Sequence, residues 1–126
     1  MGILETIAGR KAERLGEARR RLPLRELRAR LDGLPATRDF TAAVSRAGRP
    51  IRLIAEVKRA SPSRGIIRED FDAIAIAAVY EGRPVSAISV LTEEDYFHGR
   101  LSYLETVKLK TTMPVLRKDF IIDDYQ

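Results

Sequence analysis

The chain contains no cysteine. That excludes disulfide staples, thiolate metal sites and cysteine nucleophiles, and it fits a reducing cytoplasm. Nothing approaches the roughly 18 uninterrupted apolar residues that a membrane-spanning helix needs. The opening Met1-Gly2-Ile3-Leu4-Glu5 has no basic stretch followed by an apolar core, so it does not read as a secretory signal. Glu5, Glu13 and Glu17 argue against a transit peptide, which is poor in acids. Histidine occurs once, as His98, in a stretch expected to be an exposed loop, and it makes a poor catalytic candidate.

What is present suits one small globular domain: 126 residues, 44% of them hydrophobic. The formal charge of +5 is unevenly spread. Residues 1–50 carry 12 Arg and Lys against 6 Asp and Glu, whereas residues 51–126 carry 11 against 12. The whole excess therefore sits in the leading segment. Its basic residues, among them Arg10, Lys11, Arg14, Arg19, Arg20, Arg21, Arg25 and Arg28, interleave with acids and leucines. This pattern reads as a solvated helix face rather than a nucleic-acid patch.

Leu4, Ile7, Ala8, Lys11 and Leu15 recur at helical spacing, predicting a helix over residues 3–20 that Pro23 interrupts. Residues 24–31 predict a second short helix, Asp32-Gly33-Leu34-Pro35 a stop, and residues 38–46 another short helix ended near Gly48 and Pro50. From Ile51 the texture changes. Residues 51–57 form an apolar run of strand length, as for a strand buried on both faces. Ser61-Pro62-Ser63-Arg64-Gly65 is loop chemistry. Asp70 or Asp72 can cap a helix through Ile74, Ile76, Ala77 and Tyr80 that stops at Gly82. A strand over 85–91, a polar loop over 92–99, a helix over 101–110 with Leu101, Leu104 and Val107 on one face, and a strand from 113 to 117 follow. Residues 120–126 run toward a further helix. Strand and helix alternating at this spacing predict an α/β fold with a parallel sheet.

Alternation along a strand places Glu56 and Lys58 on one face, with Leu53, Ala55 and Val57 on the other. Leu116, Lys118 and Phe120 align in the third strand, and Ser89 and Leu91 in the second. If the apolar sets pack on helices, two lysines and one carboxylate converge at the C-terminal ends of the strands, with Phe97 and Phe120 close by. Such ends carry the active sites of barrel enzymes. Two neighbouring ammonium groups disfavour each other's charge and can tune a lysine toward acid catalysis, while a carboxylate opposes that effect and orients them. An ion pair that merely plugs the interior fits the spacing equally well.

The stretch Leu53-Ile54-Ala55-Glu56-Val57-Lys58-Arg59-Ala60-Ser61-Pro62-Ser63 resembles the signature of the indole-3-glycerol phosphate synthases: Glu, an apolar residue, Lys, two variable residues and Ser-Pro-Ser after an apolar strand. Three more stretches agree with that family: 65–71, 87–93 and 114–123. The resemblance implies an N-terminal helical extension, residues 1–50, followed over 51–126 by the first three βα units of a (β/α)8 TIM barrel, incomplete. It implies a cytoplasmic lyase (a carboxy-lyase) of tryptophan biosynthesis. Such an enzyme converts 1-(2-carboxyphenylamino)-1-deoxyribulose 5-phosphate to indole-3-glycerol phosphate, with loss of CO₂ and water and no cofactor or metal. Lys118 would be the general acid, Lys58 would hold substrate anions and assist dehydration, and Glu56 would position both. Ser61, Ser63, Ser89 and Leu91 would line the substrate pocket, and Phe97 and Phe120 would hold the anthranilate ring. Plain core packing for the two rings and loop capping for Ser61 are the competing readings.

Two departures stand out: Pro84, in Glu81-Gly82-Arg83-Pro84-Val85, stiffens the entry to the second strand, and His98 stands where a small or aromatic residue is usual. The family takes a further catalytic Glu, an Asn and its phosphate-binding loops from later strands. The chain is therefore expected to be a fragment, inactive alone. The alternatives are a non-catalytic barrel fragment that self-associates through open strand edges, and, ranked last, a basic nucleic-acid-binding protein. The expected partner is a small phosphorylated substrate, with neither nucleic acid nor membrane.

Overall fold

The computed structural model describes residues 2–48 and 50–126. These fall into two compact units, one made of residues 2–36 with Phe120–Gln126 and the other of Thr37–Asp119.

In the first unit, helix α1 spans Ile3–Arg21 and α2 spans Leu24–Ala29. The Gly2 amide donates to the Glu5 carboxylate at 2.9 Å, closing the first turn of α1. Arg19, Arg20 and Arg21 lie in its last turn, where cations complement the helix dipole. Pro23 opens α2, a position where its missing N–H costs nothing. The basic face is laced with exposed ion pairs, Arg10 with Glu13 at 2.7 Å and Arg21 with Glu17 at 3.9 Å. The 120–126 segment folds into a turn. Asp123 accepts from the Tyr125 amide at 2.8 Å, and the Tyr125 hydroxyl donates to the carbonyls of Leu22 and Ala18 at 2.7 and 3.1 Å.

The second unit opens with α3, Phe40–Val44, capped by Asp39, which accepts from the Ala42 amide. Arg38 donates to the carbonyls of Lys108 and Met113, at 3.0 and 2.9 Å. Strand β1 runs Ile54–Val57. Ile51 and Leu53, expected inside the strand, precede it and are exposed. The expected burial on both faces is not reached, because Ile54 and Glu56 lie on the face opposite the helices: Ile54 is 45% exposed, and only Val57, on the helix side, is fully buried. The Ser-Pro-Ser stretch, expected as loop, forms a small antiparallel hairpin between β2, Ala60–Ser61, and β3, Gly65–Ile66. Gly65 has φ +64°, a conformation open to glycine.

Helix α4 covers Ala73–Glu81. Of the two candidate caps it is Asp72 that accepts from the amides of Ile74 and Ala75. Strand β4 spans Ala87–Leu91, starting two residues later than the apolar run because Val85 closes a turn onto Arg83. Helix α5 is Ser102–Lys110, and β5 is Val115–Lys118. The third strand thus starts two residues later than the expected Met113 and has Lys118 as its last residue, so Phe120 lies beyond it. The sheet order is β1-β4-β5, all parallel, with α4 and α5 as the crossovers. The core lies between helices and sheet: Val57, Ile88 and Val90 meet Ala73, Ala77 and Val107, joined by Tyr103 and Leu104. Leu101, expected on the buried face of α5, sits at its cap and is exposed.

Candidate active site

Parallel register decides which side chains share the other face. Glu56 is level with Ser89 and Leu116, and Leu91 with Lys118. Two residues along a strand return to the same face, so Glu56, Ser89, Leu91, Leu116 and Lys118 point to one side. Val57, Ile88, Val90 and Val115 turn to the helices.

On that side the Lys118 ammonium donates to Glu56 Oε2 at 2.7 Å, and the Lys58 ammonium lies 3.2 Å from Glu56 Oε1. One carboxylate therefore holds two lysines, one on each oxygen. Burial works to raise the Glu56 pKa, but the hydrogen bonds and charges of Lys118 and Lys58 outweigh it and keep the carboxyl below its ordinary range. The backbone beneath is anchored from the helix side, where the Tyr80 hydroxyl donates to the Glu56 carbonyl at 2.8 Å. Two ammonium groups beside one carboxylate leave a net positive cluster, able to hold an anion and to deliver a proton.

Ser89 is 5% exposed, and its hydroxyl has no hydrogen-bond partner among the described residues. Leu91 is buried. The Ser61 and Ser63 hydroxyls stand 3.4 Å apart in the hairpin that follows β1. Phe97 is half-buried in the loop after β4. That loop is built on Glu93, a buried carboxylate that accepts from the amides of Asp95, Tyr96 and Phe97 at 2.7–3.0 Å. A Cβ on Gly99 would collide with the Leu91 backbone, so only glycine closes the loop. His98 is exposed, with φ +52°. Phe120 belongs to the first unit and is half-buried.

Sequence reasoning missed Thr92, Arg117 and Asp119. Arg117 and Asp119 share the helix-facing side of β5 and its extension. The Thr92 hydroxyl donates to Asp119 at 2.6 Å and accepts from Arg117 Nε at 3.2 Å. The signal was available: charged residues alternating on an otherwise apolar face. Among the described residues no group of three or more His, Asp or Glu is arranged to hold a metal ion, and no helix is long and apolar enough to cross a membrane.

Residues 4–126 match the family model described as indole-3-glycerol phosphate synthase. The chain belongs to this family. It is 46% identical over all its 126 residues to the indole-3-glycerol phosphate synthase of Chlorobium limicola, of which it covers 49%. It is likewise 47% identical over its whole length to the synthase of Rhodopirellula baltica, covering 48% of that protein. The chain thus spans about half the length of the curated relatives it matches.

Proposed function

We propose that residues 51–126, preceded by a helical extension over 1–50, are the opening strands of a (β/α)8 barrel. In this reading they supply the acid side of indole-3-glycerol phosphate synthesis in the tryptophan pathway. The observation that carries it is one carboxylate bonded to two lysines, one just past the end of β1 and one at the end of β5. Lys118 protonates the substrate ketone as the anthranilate carbon attacks it. The new carbon–carbon bond forms, CO₂ leaves with its bonding pair returned to the ring, and the resulting hydroxyl takes up a proton and departs as water while the neighbouring nitrogen-bound CH₂ loses a proton to give the indole double bond. Lys58 holds the substrate's anionic groups and assists that dehydration, while Glu56 keeps the two ammonium groups apart and oriented. Ser89, a buried donor without a partner among the described residues, is suited to a substrate oxygen, and Ser61, Ser63 and Leu91 are assigned to the same pocket. Phe97 is assigned to the anthranilate ring.

The test joins residues 1–126 to the second half of the Chlorobium limicola relative and follows indole-glycerol fluorescence. The chimera should turn over 1-(2-carboxyphenylamino)-1-deoxyribulose 5-phosphate, Lys118→Met in it should not, and residues 1–126 alone should be inactive. A folded chimera whose Lys118→Met variant keeps full activity would sink the assignment. A second reading, self-association through strand edges, is favoured by the exposure of Ile54 and Leu116. It predicts a light-scattering mass above that of the monomer.

A further inference from the structure

Thr92 touches three consecutive residues of the neighbouring strand. Its hydroxyl accepts from Arg117 Nε at 3.2 Å, its amide donates to the Lys118 carbonyl at 3.0 Å, and its hydroxyl donates to Asp119 Oδ2 at 2.6 Å. Arg117 closes the triangle onto Asp119 at 3.4 Å. Thr92 is fully buried, as is the Asp119 side chain. Desolvating a carboxylate and half-burying a guanidinium on the helix-covered face is costly, and well-packed apolar residues would serve stability as well or better. The arrangement sits where a strand end is most prone to fray, and it brackets the one residue of the three whose side chain turns the other way. Lys118 is half-exposed on a long, flexible stem. Its reach to Glu56 therefore depends on where its backbone is held.

We propose that the Thr92–Arg117–Asp119 cluster is a positioning device for Lys118, locking the residues on either side of it and thereby holding its ammonium against Glu56. The inference concerns the geometry of the lysine and holds whatever substrate the site takes. Its test therefore reads no turnover.

Lysines of the full chain are reductively methylated with ¹³C, which preserves their charge, and the Lys118 signal is assigned through Lys118→Arg. In the parent this signal steps at acid pH, below the ordinary carboxylate range, as Glu56 is protonated. In Thr92→Val and Asp119→Asn the step moves up by about half a pH unit or more, because Lys118 no longer sits against the carboxylate. Thr92→Ser, which keeps the hydroxyl, leaves the step in place. A cluster that only stabilises the fold would lower the melting temperature of Thr92→Val and leave the step where the parent has it, and that result overturns the proposal. A parent signal with no acid step overturns it too. Should Asp119→Asn fail to fold, the Thr92→Val and Thr92→Ser pair decides.

Discussion

Ile88 and Ser89 are adjacent in β4, both buried, and face opposite ways. Ile88 meets a helix-packed core; Ser89 keeps a hydroxyl that nothing among the described residues satisfies. The same division runs along β5, where Arg117 and Asp119 are tied to Thr92 on one side while Lys118 reaches Glu56 on the other. One face of the sheet is thus packed on the helices, with its charged groups tied to one another. The other holds polar groups that stability alone does not ask for. Such local inconsistency is the expected mark of a working surface.

The contrast can be broken in order of effect. Ile88→Ala removes a fully buried side chain from the helix face and should cost about 2–5 kcal/mol in denaturant unfolding; a loss well under that range would mean that this face is not the core. Thr92→Val keeps the volume but strips the hydroxyl from a buried charged pair, and should cost about 1–3 kcal/mol by the same measurement.

Glu56→Gln acts through pH. The folded Glu56 titrates below its unfolded value, so its contribution is fully present above the unfolded pKa and fades as pH falls through the folded one. The variant should therefore flatten the fall in stability over that acid window, read as melting temperature against pH. An unchanged slope would disconnect Glu56 from its lysines. Ser89→Ala should be the smallest effect, within about 0.5 kcal/mol of the parent or slightly stabilising, because a buried hydroxyl without a partner contributes nothing when removed. A loss above 1 kcal/mol would show that Ser89 is structural.

Much of this was legible in the residues. The alternation of Glu56 and Lys58, with Lys118 in the matching phase of a later strand, placed the three side chains on one face, and the register Glu56–Ser89–Leu116 follows that alternation. Asp72 and Gly82 bounded α4 as their chemistry suggests. Strand starts were not legible. Apolar residues such as Ile51 and Val85 extend a hydrophobic run beyond the residues that pair, since hydropathy carries no record of hydrogen bonding, and Ile51 is not buried at all. The hairpin inside the Ser-Pro-Ser stretch was hidden for the opposite reason, as Gly65 and its neighbours read as loop while still pairing across two residues. The alternation of Arg117 and Asp119 was visible, but their pairing with Thr92 needed tertiary structure, because the partners lie 25 and 27 residues away.

The most direct measurement is the carboxyl ¹³C titration of Glu56 in the parent, in Lys58→Met and in Lys118→Met. The midpoint should lie below the ordinary carboxylate range in the parent and rise in each variant, since each lysine occupies its own oxygen. An ordinary midpoint that neither substitution moves would contradict the shared site on which the functional reading stands.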